Sequence, residues 1–262
     1  MEQQLKDVQS SPDFRNMPIQ KVGIRQIRYP ITVRDKSKET QQTVANVSLS
    51  VNLPHTNRGT HMSRFVEVLD RFKNEVSYHN LDRILIEIKR TLQAEESHIE
   101  LAFPFFLRRK APVSGMESLM SYDCRIEATY GAHMQIATRV DVPVHTLCPC
   151  SKEISEYSAH NQRGMVAITV GMTKFIWIED IIQIAEDAAS SPLYALLKRE
   201  DEKYVTERAY ENPRFVEDVV REVALRLQSL PGLRYHVVEV ENFESIHNHS
   251  AYAVIAKRFD EG

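Results

Sequence analysis

Two cysteines and a histidine pose the chemical question. Cys148 and Cys150 lie in Leu147-Cys148-Pro149-Cys150-Ser151-Lys152-Glu153, and His160 follows Cys148 by 12 residues, in Ala159-His160-Asn161-Gln162-Arg163. Thiolate and imidazole are ligand types that zinc prefers, and a catalytic zinc site keeps one position open for water. Spacing alone does not decide the matter. Cys-x-Cys followed by one distant histidine is not a zinc-finger spacing. Two buried structural cysteines beside a surface histidine fit it equally well.

A second cluster, Glu241-Asn242-Phe243-Glu244-Ser245-Ile246-His247-Asn248-His249, lies between two expected strands. Histidines two positions apart share one face of an extended chain. Glu244 is placed to orient one of them, as carboxylates do behind metal-bound imidazoles. Taken singly, His-x-His reads better as an exposed polar turn. Two such clusters at loop positions make a shared site more credible than either alone. The acidic run Glu200-Asp201-Glu202 reads by default as a solvated helix face, and Glu217, next to Val216, reads as a surface glutamate. Cys124 alternates with Ile126 and Ala128 and is expected in the core. Arg64, Arg108, Arg109 and Lys110 are cations of the kind that meet phosphate, although basic residues in loops usually face water.

Composition narrows the function classes. The chain has 262 residues, 42% hydrophobic and 26% charged, with a formal net charge of −3. That suits a globular core and not a disordered chain. It gives no electrostatic case for nucleic acid. No apolar run approaches the roughly 18–20 residues of a membrane helix. Met1 to Asp7 lacks the basic and apolar regions of a secretory signal, so a cytoplasmic location without membrane attachment is expected. Three cysteines argue against a disulfide framework. The 8 glycines form neither G-x-G-x-x-G nor G-x-x-x-x-G-K-[ST], so a bound nucleotide is not held by those loops.

The elements that must position these residues follow from periodicity. Residues 1–20 are polar, contain Pro12 and Pro18, and read as a mobile arm. Val47, Leu49, Val51 and Leu53 alternate with polar residues as a strand. Met62, Phe65, Leu69 and Phe72 mark a helix, and Leu81, Ile84, Leu85, Ile88 and Leu92 mark another with Asn80 as N-cap. Ile99 to Phe105 alternates, a basic loop at Arg108-Arg109-Lys110 follows, and 121–144 is extended. The second half repeats the order. Val166, Ile168 and Val170 form a strand, and Ile181, Ile184 and Ala188 a helix. Ser191-Pro192 predicts a cap and first-turn proline for a short helix carrying Leu193, Leu196 and Leu197. Asn212-Pro213 opens a helix with the stripe Val216, Val219, Val220, Val223 and Leu227, and Tyr235–Glu241 and Ala251–Lys257 close the chain as strands. The pattern predicts α+β, with antiparallel sheets and helices on one face. Open sheet edges must be covered or paired, which predicts an oligomer.

The Cys148–Glu153 and Ala159–Arg163 segments together resemble the type IB GTP cyclohydrolase I family. Lys21-Val22-Gly23-Ile24, Gly59-Thr60-His61-Met62-Ser63-Arg64-Phe65, Asn212-Pro213-Arg214-Phe215-Val216-Glu217-Asp218 and Glu244-Ser245-Ile246-His247-Asn248-His249 are similar to it in the same order. The resemblance covers nearly the whole chain after the arm. It implies a tunnelling fold (T-fold) of two tandem ββααββ-like modules, here 21–120 and 121–262, pairing into barrels in a homotetramer. It implies hydrolysis of GTP to formate and 7,8-dihydroneopterin triphosphate, which leads to tetrahydrofolate and queuosine-type bases. Cys148 and His160 match metal-ligand positions, and Glu202 a third, with Glu200 its competitor. His247 and His249 match active-site histidines, one of them at or near the metal, and Glu217 the glutamate that anchors the base.

The chemistry implied needs such residues. A divalent ion, zinc first and manganese or iron otherwise, lowers the pKa of water to about 7. An imidazole, from His247 or His249 with Glu244 as orienter, can protonate N7 as the ring opens. A carboxylate at Glu217 accepts both N1–H and the 2-amino group of guanine. Arg64 and Lys152 are candidates for the triphosphate. Two readings compete. One is a nitrile reductase of the same superfamily, using a cysteine nucleophile and NADPH; the other is a non-catalytic protein with a structural metal.

Overall fold

A computed structural model describes residues 9, 11–73 and 76–259. Residues 1–8 and 10 of the expected arm lie outside the described residues. Nine strands and six α-helices form among the described residues. The strands pair antiparallel, so the architecture is α+β. No helix among the described residues is long and apolar enough to cross a membrane. The chain divides into two compact units, 1–103 with 126–136, and 104–125 with 137–262.

The first unit holds β1 (Ile19–Asp35), β2 (Glu39–Leu53), α1 (Met62–Arg71) and α2 (Leu81–Leu92). It also holds the first part of β3 (Ser97–Lys110). Strand β2 lies between β1 and β3. Its alternating Val47, Leu49, Val51 and Leu53 are all buried, as are Phe65 and Leu69 of α1 and Leu81, Ile84, Leu85 and Ile88 of α2. Each such side chain contributes about 1.5–3 kcal/mol by leaving water. Strand β1 escapes simple alternation for a visible reason. Val22 and Ile24 are in one phase, and Ile27, Tyr29, Ile31 and Val33 in the other. The register shifts between Ile24 and Ile27, where Gln26 takes φ 62°. A bulge adds a residue and flips the inward phase. Gly23 lies beside it, and a Cβ there would fall 1.9 Å from the Leu49 carbonyl oxygen.

The second unit holds the rest of β3 and most of β4 (Glu117–Tyr130) and β5 (Met134–Leu147). After them come α3 (Pro149–Ile154), β6 (Asn161–Met172), α4 (Ile178–Ala188) and the two-residue β7 (Ser191–Pro192). Then follow α5 (Arg199–Glu211), α6 (Val216–Leu227), β8 (Leu233–Asn242) and β9 (Ala251–Arg258). Strands β5, β6, β8 and β9 are successive neighbours, and β7 pairs with β5. Helix α6 packs on β8, β9 and α4 through Val216, Val219, Val220, Val223 and Leu227, all buried as expected.

Three expectations are corrected. Arg108-Arg109-Lys110 ends strand β3 and is not a loop. Arg109 turns its guanidinium onto buried Glu186, and its Nε donates to the Tyr122 hydroxyl at 3.3 Å. The Tyr122 hydroxyl in turn donates to Glu186 Oε1 at 2.9 Å. Ser191-Pro192 does not start a helix. It pairs with His145 and Val144, and a strand this short tolerates a proline without an N–H. The expected short helix does not form: Leu193, Leu196 and Leu197 lie in irregular chain, and α5 begins after them, at Arg199. Helix α5 is hard to see from periodicity because only Asp201 and Ala209 of its 13 residues are buried. Finally, α6 starts at Val216 rather than at Asn212-Pro213. Asn212 Nδ2 instead donates to the Ala189 carbonyl at 2.9 Å.

Candidate active site

The 12-residue spacing from Cys148 to His160 has a structural cause. Leu147 of β5 pairs with Asn161 of β6, and the Cys148 N–H donates to the His160 carbonyl at 3.1 Å. The two residues are therefore cross-strand neighbours at the end of one antiparallel ladder. The segment between them leaves and re-enters that ladder. Its first part is α3, with Cys148 as N-cap and Pro149 in the first turn, where the missing N–H costs no hydrogen bond. Cys148 is half-buried and Cys150 exposed. Cys124 is buried, and burial pushes its thiol well up, so it stays a neutral core residue.

His160 is held by the strand that follows it. Its Nδ1 lies 3.0 Å from Oε1 of Gln162, two residues on, at the start of β6. Gln162 is buried, and its Nε2 donates to the buried Thr146 hydroxyl at 3.1 Å. An amide oxygen only accepts, so this contact calls for a proton on Nδ1, and in the neutral ring that leaves Nε2 for a metal.

The C-terminal cluster comes to the same place. Strand β8 lies beside β6, and Phe243 N–H donates to Arg163 O at 2.9 Å just past the strand end. That contact brings the next residues over His160. Glu244 Oε2 stands 3.9 Å from His160 Nδ1, with both side chains largely buried, and Ser245 Oγ is 3.4 Å from the same nitrogen. The carboxylate expected behind His247 or His249 is thus found beside His160. His247 and His249 are exposed and stack on each other, ring centroids 5.1 Å apart and planes 21° apart.

Other candidates are placed around this ladder. Arg214 N–H donates to Leu147 O at 3.0 Å, which ties the approach to α6 to the residue before Cys148. Glu217 is exposed in the first turn of α6, and Asp218 provides the cap by accepting from Phe215 N–H at 2.9 Å. Lys152 of α3 donates to the Tyr210 carbonyl and lies 4.1 Å above the Tyr210 ring. It is thus engaged with the C-terminal end of α5, where a cation is favoured by the helix dipole. Glu200 and Glu202 are exposed in the first turn of α5, flanking buried Asp201. Arg64 belongs to α1 of the first unit, with Nη1 3.5 Å from the Thr91 carbonyl. A cavity of about 620 Å³ opens beside the ladder end. His145, Leu147 and Asn161 line it from the strands, and Thr206, Glu207, Tyr210 and Glu211 from α5.

The residues at the ladder end fit a divalent ion in kind. Cys148 would supply a soft ligand, and His160, with Nδ1 beside the Gln162 amide oxygen, would offer Nε2. Among the described residues, no three His, Cys, Asp or Glu side chains stand together closely enough to hold an ion. Cys148 and His160 are backbone neighbours at one ladder end, Glu244 stands beside His160, and Glu202 lies on α5.

A model of the family described as Type I GTP cyclohydrolase folE2 matches residues 5–253. The chain belongs to that family. Proteins named GTP cyclohydrolase FolE2 from Syntrophotalea carbinolica and Fervidobacterium nodosum are each 53% identical to it, over 96% of this chain and 94% and 97% of theirs. A third, from Citrifermentans bemidjiense, is 53% identical over 97% of this chain and 95% of its own length. In fold, the chain is similar to uricase from Arthrobacter globiformis, with a TM-score of 0.54 over 92% of this chain and 94% of that one, at 10% identity.

In this FolE2 family member, sequence reasoning passed over several residues that build the site. Gln162 was visible only as part of a motif, although its place two residues from His160 marks it as a same-face neighbour if the chain there is extended. Asp201 looked like one more charge in a solvated run. His145 is half-buried in β5 with its Nδ1 lacking a hydrogen-bond partner. Its alternation with Val144 and Thr146 carries no signal that a cavity lies beside it.

Proposed function

We propose that this chain is a GTP cyclohydrolase that opens the guanine ring of GTP at C8, releasing formate and forming 7,8-dihydroneopterin triphosphate for tetrahydrofolate synthesis. The observation that carries this reading is the 53% identity, over nearly the full chain, to proteins named GTP cyclohydrolase FolE2. The arrangement at the β5–β6 ladder end supports it. We place Cys148 and His160 as metal ligands, joined by Glu202, with Glu200 as its alternative, and by His247. Zinc suits a thiolate and imidazole best, and manganese or iron suits the carboxylate. Such an ion, once bound, would supply Lewis acidity and a more acidic water.

The chain's own residues do the rest of the work. Gln162 keeps the His160 proton on Nδ1. Glu217 accepts N1–H and the 2-amino group of guanine; adenine lacks this pair of donors and would leave the carboxylate unpaired. His247 or His249 delivers a proton to N7, and an exposed imidazole pair suits that task. We assign Lys152 and Arg64 to the triphosphate, although Lys152 is tied to Tyr210 of α5 in the free chain. We read the architecture as a tunnelling fold of the type IB group whose subunits pair into barrels in a homotetramer, and assembly is where the remaining donors join Cys148 and His160.

The zinc-loaded protein should release formate from GTP and leave ATP intact. GTP that stays unchanged under conditions where the protein binds zinc would overturn the proposal.

A further inference from the structure

Asp201 is the buried member of the run Glu200-Asp201-Glu202. Its two carboxylate oxygens accept four hydrogen bonds. One comes from Lys198 N–H at 2.8 Å, at the start of α5. The other three come from the turn between β3 and β4: Val113 N–H and Ser114 N–H, each at 2.8 Å, and the Ser114 hydroxyl at 2.6 Å. That turn is closed by Ala111 N–H to Met116 O at 2.9 Å, with Gly115 in the left-handed region at φ 67°. A helix cap requires only the bond at the start of α5. The other three bonds join α5 to a separate part of the sheet, and they act on the residue between the two candidate carboxylate ligands.

We propose that Asp201 is a positioning residue for the metal site, fixing the first turn of α5 against the β3–β4 turn and so fixing the carboxylate at Glu202 or Glu200. The inference rests on the reading that one of those glutamates is a ligand, and it holds whichever of the two serves. A buried carboxylate with all its donors in place is rigid, and rigid support behind a ligand typically changes metal affinity by about 10–100-fold. The Ser114 hydroxyl lies in a different element from both glutamates and meets α5 at Asp201.

The test compares wild type, Asp201→Asn, Ser114→Ala and a control, Asp35→Asn, which removes a buried turn carboxylate in the first unit. Zinc affinity is measured by competition with a chromogenic chelator, on protein shown by circular dichroism to be folded. Asp201→Asn should bind zinc about 10–100-fold more weakly. Ser114→Ala should lose affinity by a smaller factor, and Asp35→Asn should melt earlier yet bind as wild type does. Wild-type affinity in folded Asp201→Asn and Ser114→Ala would overturn the proposal. So would an equal loss in Asp35→Asn, since affinity would then only follow stability. If Asp201→Asn does not fold, Ser114→Ala decides alone. A wild-type chain that binds no divalent ion would instead remove the metal reading itself, and this proposal with it.

Discussion

His160 and Glu244 meet where β6 and β8 end, with the imidazole Nδ1 3.9 Å from the carboxylate. They are 84 positions apart in the chain, yet strand pairing alone brings them together. The same nitrogen lies 3.0 Å from Gln162 Oε1, so two acceptors surround it. Both suit a proton on Nδ1, which in the neutral ring leaves Nε2 for a metal.

Gln162 is therefore expected to control zinc binding without touching the ion. Gln162→Leu keeps much of the buried volume but removes the acceptor that fixes the tautomer. Zinc affinity should fall about 10–100-fold, with the secondary structure unchanged by circular dichroism. Unchanged affinity in a folded variant would show that Glu244 or Ser245 suffices to hold His160.

Glu217 should govern the base and not the metal. In Glu217→Ala the KM for GTP should rise by at least about tenfold, the scale of a lost charge-assisted hydrogen bond of ~1.5–3 kcal/mol. Discrimination against inosine triphosphate, which lacks the 2-amino group, should shrink. Zinc content should stay at the wild-type level. Steady-state kinetics with both nucleotides checks this, and an unchanged KM would rule out the anchor.

Much of this scaffold was legible in the sequence where one period ran unbroken. The stripes of α2 and α6 and the alternation of β2 are buried as their spacing predicts, because one face of each meets the core. Legibility failed where local geometry interrupts the period or where a polar group is buried. The bulge at Gln26 hid β1, and the mostly exposed surface of α5 showed a helix face at Glu200–Glu202 but not how far the helix runs. The Cys148–His160 pair was visible as residue types, but its cause, a cross-strand pairing, was not. Asp201 reads as one more acid of a solvated run because its partners come from a distant segment.

The Arg109–Glu186–Tyr122 cluster should matter to stability alone. Glu186 is 2% exposed and Tyr122 1%. Glu186→Ala leaves a largely buried guanidinium and a buried hydroxyl without their acceptor. Breaking such a pair costs about 3–5 kcal/mol. Urea unfolding should show a lower midpoint with little change in slope. A midpoint within experimental error of wild type would show that water replaces the lost carboxylate.

Asp35 gives the first unit a pH dependence of known sign. Burial raises its carboxyl, but the Ser37 hydroxyl and N–H, Lys38 N–H and the Gln41 amide outweigh that and hold it below the ordinary range. A depressed carboxyl adds stability above the unfolded-state value, about 3.9, and loses it as pH falls through the folded-state value. Asp35→Asn should therefore melt below wild type at pH 7, and the gap should narrow steadily below about pH 4. Thermal melts across that range check it, and a gap that widens toward acid would contradict the assignment.

If the β5–β6 ladder end is the water-activating half of a guanine-opening site, Cys148→Ala should abolish the reaction with GTP. Formate release, zinc content and oligomeric state are measured on the same preparation. The variant should fold and assemble like the wild type, lose zinc, and release no formate above background. Formate release at the wild-type rate from folded Cys148→Ala would contradict that reading of the ladder end.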